Sequence, residues 1–131
     1  MTSDLSSLPP ASATLARHAL RAFETVVGST AGFRVRPGQH QMAQTVAATL
    51  AQADIGEHPT PTKAIAVIQA GTGVGKSAAY ASTAIAMALE RKTRVIISTA
   101  TVALQEQLMS KDLPALALSL IHISEPTRLG M

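Results

Sequence analysis

Between residues 70 and 77 the chain reads Ala70-Gly71-Thr72-Gly73-Val74-Gly75-Lys76-Ser77, three alternating glycines running into a lysine and a hydroxyl. Alternating glycines let the backbone curl so that consecutive N–H groups point inward, where they can cradle phosphate oxygens. A lysine placed directly after such a loop reaches the β- and γ-phosphates of a nucleoside triphosphate, and a serine beside it ligates Mg2+ held with the nucleotide. A following helix would add its partly positive N-terminus. The spacing is that of a Walker A loop with Ala70 in place of the first glycine. The bland alternative, a flexible glycine linker between packed elements, has the flanking sequence against it.

The motif needs a strand before it and a helix after it. Residues 64–68 (AIAVI) form a continuous apolar run, the pattern of a strand buried on both faces. An alanine-rich helix is expected over 75–90, a second buried strand over 94–98 (RVIIS) and a helix over 102–109, with Thr101 as its N-cap. This order predicts an α/β fold, a parallel βαβ unit belonging to a P-loop NTPase domain, with N-terminal helices ahead of it. Residues 1–12 are rich in Ser and Pro and read as a disordered lead. Helices are expected over 13–27 and 39–53, the second with Met42, Val46 and Leu50 on one face, and turn-rich connectors over 28–38 and 55–62.

Other residue types could serve the same chemistry. Gln39 lies about thirty residues before the loop, and a carboxamide can pair with the N6 and N7 edge of adenine. Phe33 could stack on the base. On residue chemistry alone, a polar residue at a helix start and a core anchor account for the two better. Ser98-Thr99-Ala100-Thr101 falls at the carboxyl end of the expected second strand, the ligand-binding edge of open α/β sheets. Hydroxyls there can hold a phosphodiester, and Thr101 can also simply cap its helix.

Composition narrows the remaining choices. The chain has 131 residues, room for one small domain, and 11 basic against 8 acidic residues, a formal +3 that permits nucleic acid without arguing for it. No cysteine is present, which excludes disulfides and thiolate metal sites, and the four histidines (His18, His40, His58, His122) stand at no metal-ligand spacing. The first ten residues have no basic leader region and no apolar run approaches spanning length, so a cytoplasmic protein is expected.

Taken together, RPGQHQM, QAGTGVGKS, ISTATVALQEQL and KDLPAL resemble the damage-inducible, DinG-type bacterial relatives of the XPD-like superfamily 2 DNA helicases. The resemblance covers about residues 33–117 and implies the start of a RecA-like motor domain over 28–117, with residues 1–27 as lead and N-terminal helix. It implies that Gln39 reads adenine, that Ala70 to Ser77 hold ATP and Mg2+, with Lys76 and Ser77 catalytic, and that Thr99 and Thr101 contact single-stranded DNA. The parent of such a segment would couple ATP hydrolysis to translocation on single-stranded DNA and duplex unwinding.

A motor of that kind also needs an acidic Asp-Glu box, an arginine from a second domain and, in this family, four cysteines for an iron–sulfur cluster. None is in the chain, so the segment itself is expected to be inactive as a motor. Residues 118–128 (LSLIHISEPTR) look like the translation of a transposase adapter used in preparing sequencing libraries, so 118–131 reads as an artefact tail. The rival reading is a stand-alone nucleotide-binding or regulatory module without motor function. A small phosphotransferase would need an arginine-bearing lid that is not visible.

Overall fold

The computed structural model describes residues 5–29, 36–53, 59, 63–71, 75–114 and 116. Its core is three helices: α1 (Pro10–Ser29), α2 (Pro37–Gln52) and α3 (Lys76–Arg91). A short 3-10 turn, Leu5–Ser7, precedes them, and α4 (Val102–Gln107), continued by a π-helical turn at Leu108–Asp112, follows. The part of the expected disordered lead that is described is therefore ordered. Pro10 opens α1, where its missing N–H is one of the groups a helix start leaves unbonded, and Leu5 and Leu8 pack on the core.

Contacts at the helix ends fix the directions. Gln39 near the start of α2 touches Gly75 at the start of α3, while Arg91 at the end of α3 touches Leu50, Ala51 and Ala53 at the end of α2. The two helices therefore run parallel. Helix α1 runs against both: Glu24 meets His40 at 3.2 Å, and His18 meets Glu90 at 3.6 Å. These pairs are partly exposed and set alignment more than they add stability.

Alanine dominates the packing, with Ala16, Ala19 and Ala22 on α1, Ala43, Ala47 and Ala51 on α2, and Ala79, Ala81 and Ala86 on α3 all buried. Small side chains let helices pack closely, and Phe23, the largest of the fully buried side chains, packs with Val27, Ala43 and Ala79. The inner face of α2 is consequently the line Gln39, Ala43, Ala47, Ala51, at the four-residue spacing of one helix face. Met42, Val46 and Leu50, expected on one face, are all half-buried, with Met42 and Leu50 packed against the core beside that line. A helix wedged between two neighbours buries its small residues at the closest approach and its larger ones beside it.

The α/β expectation is overturned: among the described residues there is no strand and no sheet, and the parallel βαβ unit is not formed. Residues 64–68 and 94–98, expected as buried strands, are irregular, with Ile65, Val67 and Ile96 exposed to 84, 95 and 94%. The physical reason is the source of their hydrogen bonds. A helix satisfies its own backbone, whereas a strand takes every bond from a neighbour, and runs joined by a crossover need not lie side by side. Among the described residues neither run meets a partner. No described helix is long and apolar enough to cross a membrane.

Candidate phosphate-binding site

Helix α3 begins at Lys76, directly after Gly75, and its first turn carries the two residues singled out for phosphate and Mg2+. Gly75 is the N-cap, and it takes left-handed backbone (φ 81°, ψ 45°) where most N-caps are extended and cap with a side chain. Glycine has no side chain to cap with, so the turn is secured from outside. The Nε2 of Gln39 donates to the Gly75 carbonyl at 3.0 Å, and the same carbonyl accepts the N–H of Ala79 at 3.3 Å, the opening bond of α3.

Gln39 is only 1% exposed, unusual for a residue with two polar ends. Its position on the first turn of α2 comes from Pro37, which starts that helix, and from an Arg36 in extended backbone ahead of it. The neighbouring carbonyl settles which end of the amide is which, because only an N–H can face an oxygen at that distance. Its Oε1 is buried with no partner among the described residues. A Cβ on Gly75 would run into the Gln39 amide, so this position disfavours any other residue on space as well as on backbone angle.

Lys76 is exposed and Ser77 half-buried, and both line an open cavity of about 320 Å3 together with Gly75, Ala78, Val26 and Val27. Its far wall is Gln107, Lys111, Asp112 and Leu116. A second cavity of about 200 Å3 adjoins it through Ser77, Gln107 and Asp112, and reaches Tyr80, Ser98, Thr99 and Leu104. The expected phosphate residues and Thr99 thus share one connected region. Its walls include Lys111 and Asp112, which sequence reasoning placed in no site. Their only sequence signal was inclusion in the KDLPAL stretch.

Of the other expected site residues, Ala70 and Gly71 lie on irregular backbone ahead of the helix. Thr72, Gly73, Val74 and Phe33 fall outside the described residues, as does the tail at 118–131. Thr101 is the N-cap of α4, its hydroxyl accepting the Leu104 N–H at 3.2 Å, and the Thr99 hydroxyl donates to the Thr101 carbonyl at 3.2 Å. Both hydroxyls are engaged in shaping that turn.

The donor set suits a triphosphate with its metal: one cation, one hydroxyl, a helix N-terminus and a left-handed glycine whose Cβ space is already filled. Ser77 would supply a single Mg2+ ligand, the rest coming from phosphate oxygens and water, as that ion prefers. The chain holds no cysteine and therefore does not fit a cysteine-ligated iron–sulfur cluster.

Comparison with known proteins follows the sequence motifs. Over 87 residues, 66% of the chain, it is 47% identical to the ATP-dependent helicase DinG of Mycobacterium tuberculosis. It is 42% identical over 92 residues to the ATP-dependent DNA helicase DinG of Photobacterium profundum, and 45% over 84 residues to that of Salmonella choleraesuis. These matches take in 70% and 64% of the chain. The chain spans only 11–13% of the length of these three relatives. No family model matches it, and no solved structure does.

Proposed function

We propose that this chain, a DinG-type segment by its sequence, is the ATP-binding portion of a DNA helicase that couples ATP hydrolysis to movement on single-stranded DNA and duplex unwinding. The observation that carries the reading is the start of α3. There Lys76 and Ser77 follow a left-handed glycine and open onto a cavity of about 320 Å3. The identity to proteins named as ATP-dependent helicases supports the assignment of ATP and DNA as the parent's substrates.

Each residue has a role in this reading. The Walker A loop, Ala70 to Gly75, offers backbone N–H groups to the phosphates, Lys76 neutralises charge on the β- and γ-phosphates, and Ser77 holds Mg2+. Ser77 would hold the Mg2+ that comes with the nucleotide, and that ion would supply Lewis-acid stabilisation of negative charge on the phosphates. Thr99 and Thr101 belong to the DNA-contacting part through their turn, where backbone and hydroxyl groups can meet a phosphodiester without reading sequence. In this reading the segment binds nucleotide without turning it over at a strand-stimulated rate, since its sequence carries no adjacent acidic pair to hold Mg2+ and orient the attacking water.

The test is a titration of the full chain with Mg-ATP, followed by a hydrolysis assay with and without single-stranded DNA. Binding is expected, and Lys76→Ala should weaken it about 10- to 100-fold, the range for one charge-assisted hydrogen bond of about 1.5–3 kcal/mol. DNA should leave hydrolysis at background. If the Lys76→Ala variant binds as tightly as the parent, the phosphate-binding role is lost.

A further inference from the structure

We infer that Gln39 is a positioning residue for the phosphate loop, setting the turn that delivers Lys76 and Ser77, and so acts on the phosphates of any nucleotide. This rests on the nucleotide-binding reading above and adds a role that base recognition does not contain.

Three observations converge on it. The Gln39 Nε2 donates to the Gly75 carbonyl at 3.0 Å, tying α2 to the residue that immediately precedes Lys76. The side chain is 1% exposed, packed where a Cβ on Gly75 would otherwise sit, so it closes the turn by contact as well as by hydrogen bond. Gly75 itself lacks any side-chain cap, and glycine leaves left-handed backbone for other conformations with little resistance. An anchored carbonyl removes that freedom. The first N–H groups of α3 then keep one direction, and Lys76 and Ser77 keep one origin, before any ligand arrives. Preorganised donors bind phosphate better than donors that must be ordered on binding.

The alternative role, reading the adenine edge, makes a different prediction. A residue that touches only the base matters to ATP and is silent toward a ligand without a base. A residue that shapes the loop matters equally to both.

The experiment titrates the full chain with Mg-ATP, Mg-GTP and Mg-tripolyphosphate, for the parent and for Gln39→Met. Methionine keeps the approximate volume of glutamine and has no N–H or O–H to donate to the Gly75 carbonyl. All three affinities should fall together, by about tenfold, equivalent to about 1.4 kcal/mol for the lost bond, with the ATP-to-GTP ratio unchanged. If ATP binding weakens and tripolyphosphate binding does not, Gln39 reads the base and the inference fails. Three unchanged affinities overturn it too. A parent chain that binds none of the three overturns the nucleotide site itself and this inference with it. Far-ultraviolet circular dichroism checks that the variant keeps its helices. Should Gln39→Met not fold, Gln39→Leu removes the donor from a side chain of similar size and is expected to give the same parallel loss.

Discussion

Helix α3 leaves left-handed backbone at one end and enters it at the other, yet the two turns are built from opposite residue types. At its start Gly75 has φ 81°, and at its finish Lys92 has φ 55°. Glycine at 75 answers two demands, the backbone angle and the space already held by Gln39. Lys92 is exposed and answers neither, so it simply carries the strain that an L-residue meets in that region. Both ends are also tied to α2 by a side chain. Gln39 reaches Gly75 at one end. Arg91 reaches three carbonyls at the other: Nη1 donates to Leu50 at 3.2 Å and Ala53 at 2.8 Å, and Nη2 to Ala51 at 3.0 Å. The difference teaches which tie serves ligand chemistry. The first shapes the turn beside Lys76, and the second closes the carbonyl end of a helix and touches nothing in either cavity.

Substitution at the first turn should have the largest effect. Gly75→Ala forces a side chain into left-handed backbone, about 1–2 kcal/mol, and into the Gln39 amide, about 1–3 kcal/mol more. A total of about 3 kcal/mol is expected in urea unfolding. Adding Gln39→Ala should return the steric share, so the double variant is expected to lose less than the sum of the singles. Simple additivity would show that the two residues do not compete for the same space. Arg91→Ala comes next, at about 2 kcal/mol, because it strips charged donors from carbonyls at the end of α2. Nucleotide affinity should be unaffected in that variant, since Arg91 lines neither cavity. A large loss of ATP binding without loss of stability would mean the two ends are not separable in the way described.

The helices were legible in the sequence because their signals are local. Helical periodicity and Thr101 ahead of Val102 mark elements that satisfy their own backbone, and α1 to α4 stand within a few residues of where those signals put them, α2 starting at Pro37, two residues earlier than expected. The apolar runs at 64–68 and 94–98 were misread because a buried strand is a statement about neighbours, and the run itself carries no information on whether neighbours are present. The face of α2 was legible only in part: Met42 and Leu50 pack on the core, but close helix packing buries the alanines most deeply, and size gives no hint of that. At the site, the motif residues Lys76 and Ser77 could be named from spacing alone. The tie from Gln39 to Gly75 could not, since it depends on two parallel helices meeting at their starts across 36 residues of chain. Asp112 on the wall shared by both cavities carried no spacing signal at all.

The smallest expected effect sharpens the comparison best because its sign reverses. Lys92 holds left-handed backbone at the close of α3, with its N–H directed to the Ala88 and Leu89 carbonyls and the next N–H, from Thr93, to Ala88 at 2.9 Å. That is the arrangement in which helices most often use glycine. Lys92→Gly removes the Cβ strain, partly offset by the greater freedom of glycine in the unfolded chain, so stability should rise by about 0.5–1 kcal/mol. The midpoint in urea should move up while the slope stays constant. The same backbone region would then tolerate glycine at both ends of the helix but tolerate a side chain only at the far one. A fall in stability for Lys92→Gly would instead mean that the lysine side chain makes an interaction worth more than its backbone strain, and that the two turns are more alike than their contacts suggest.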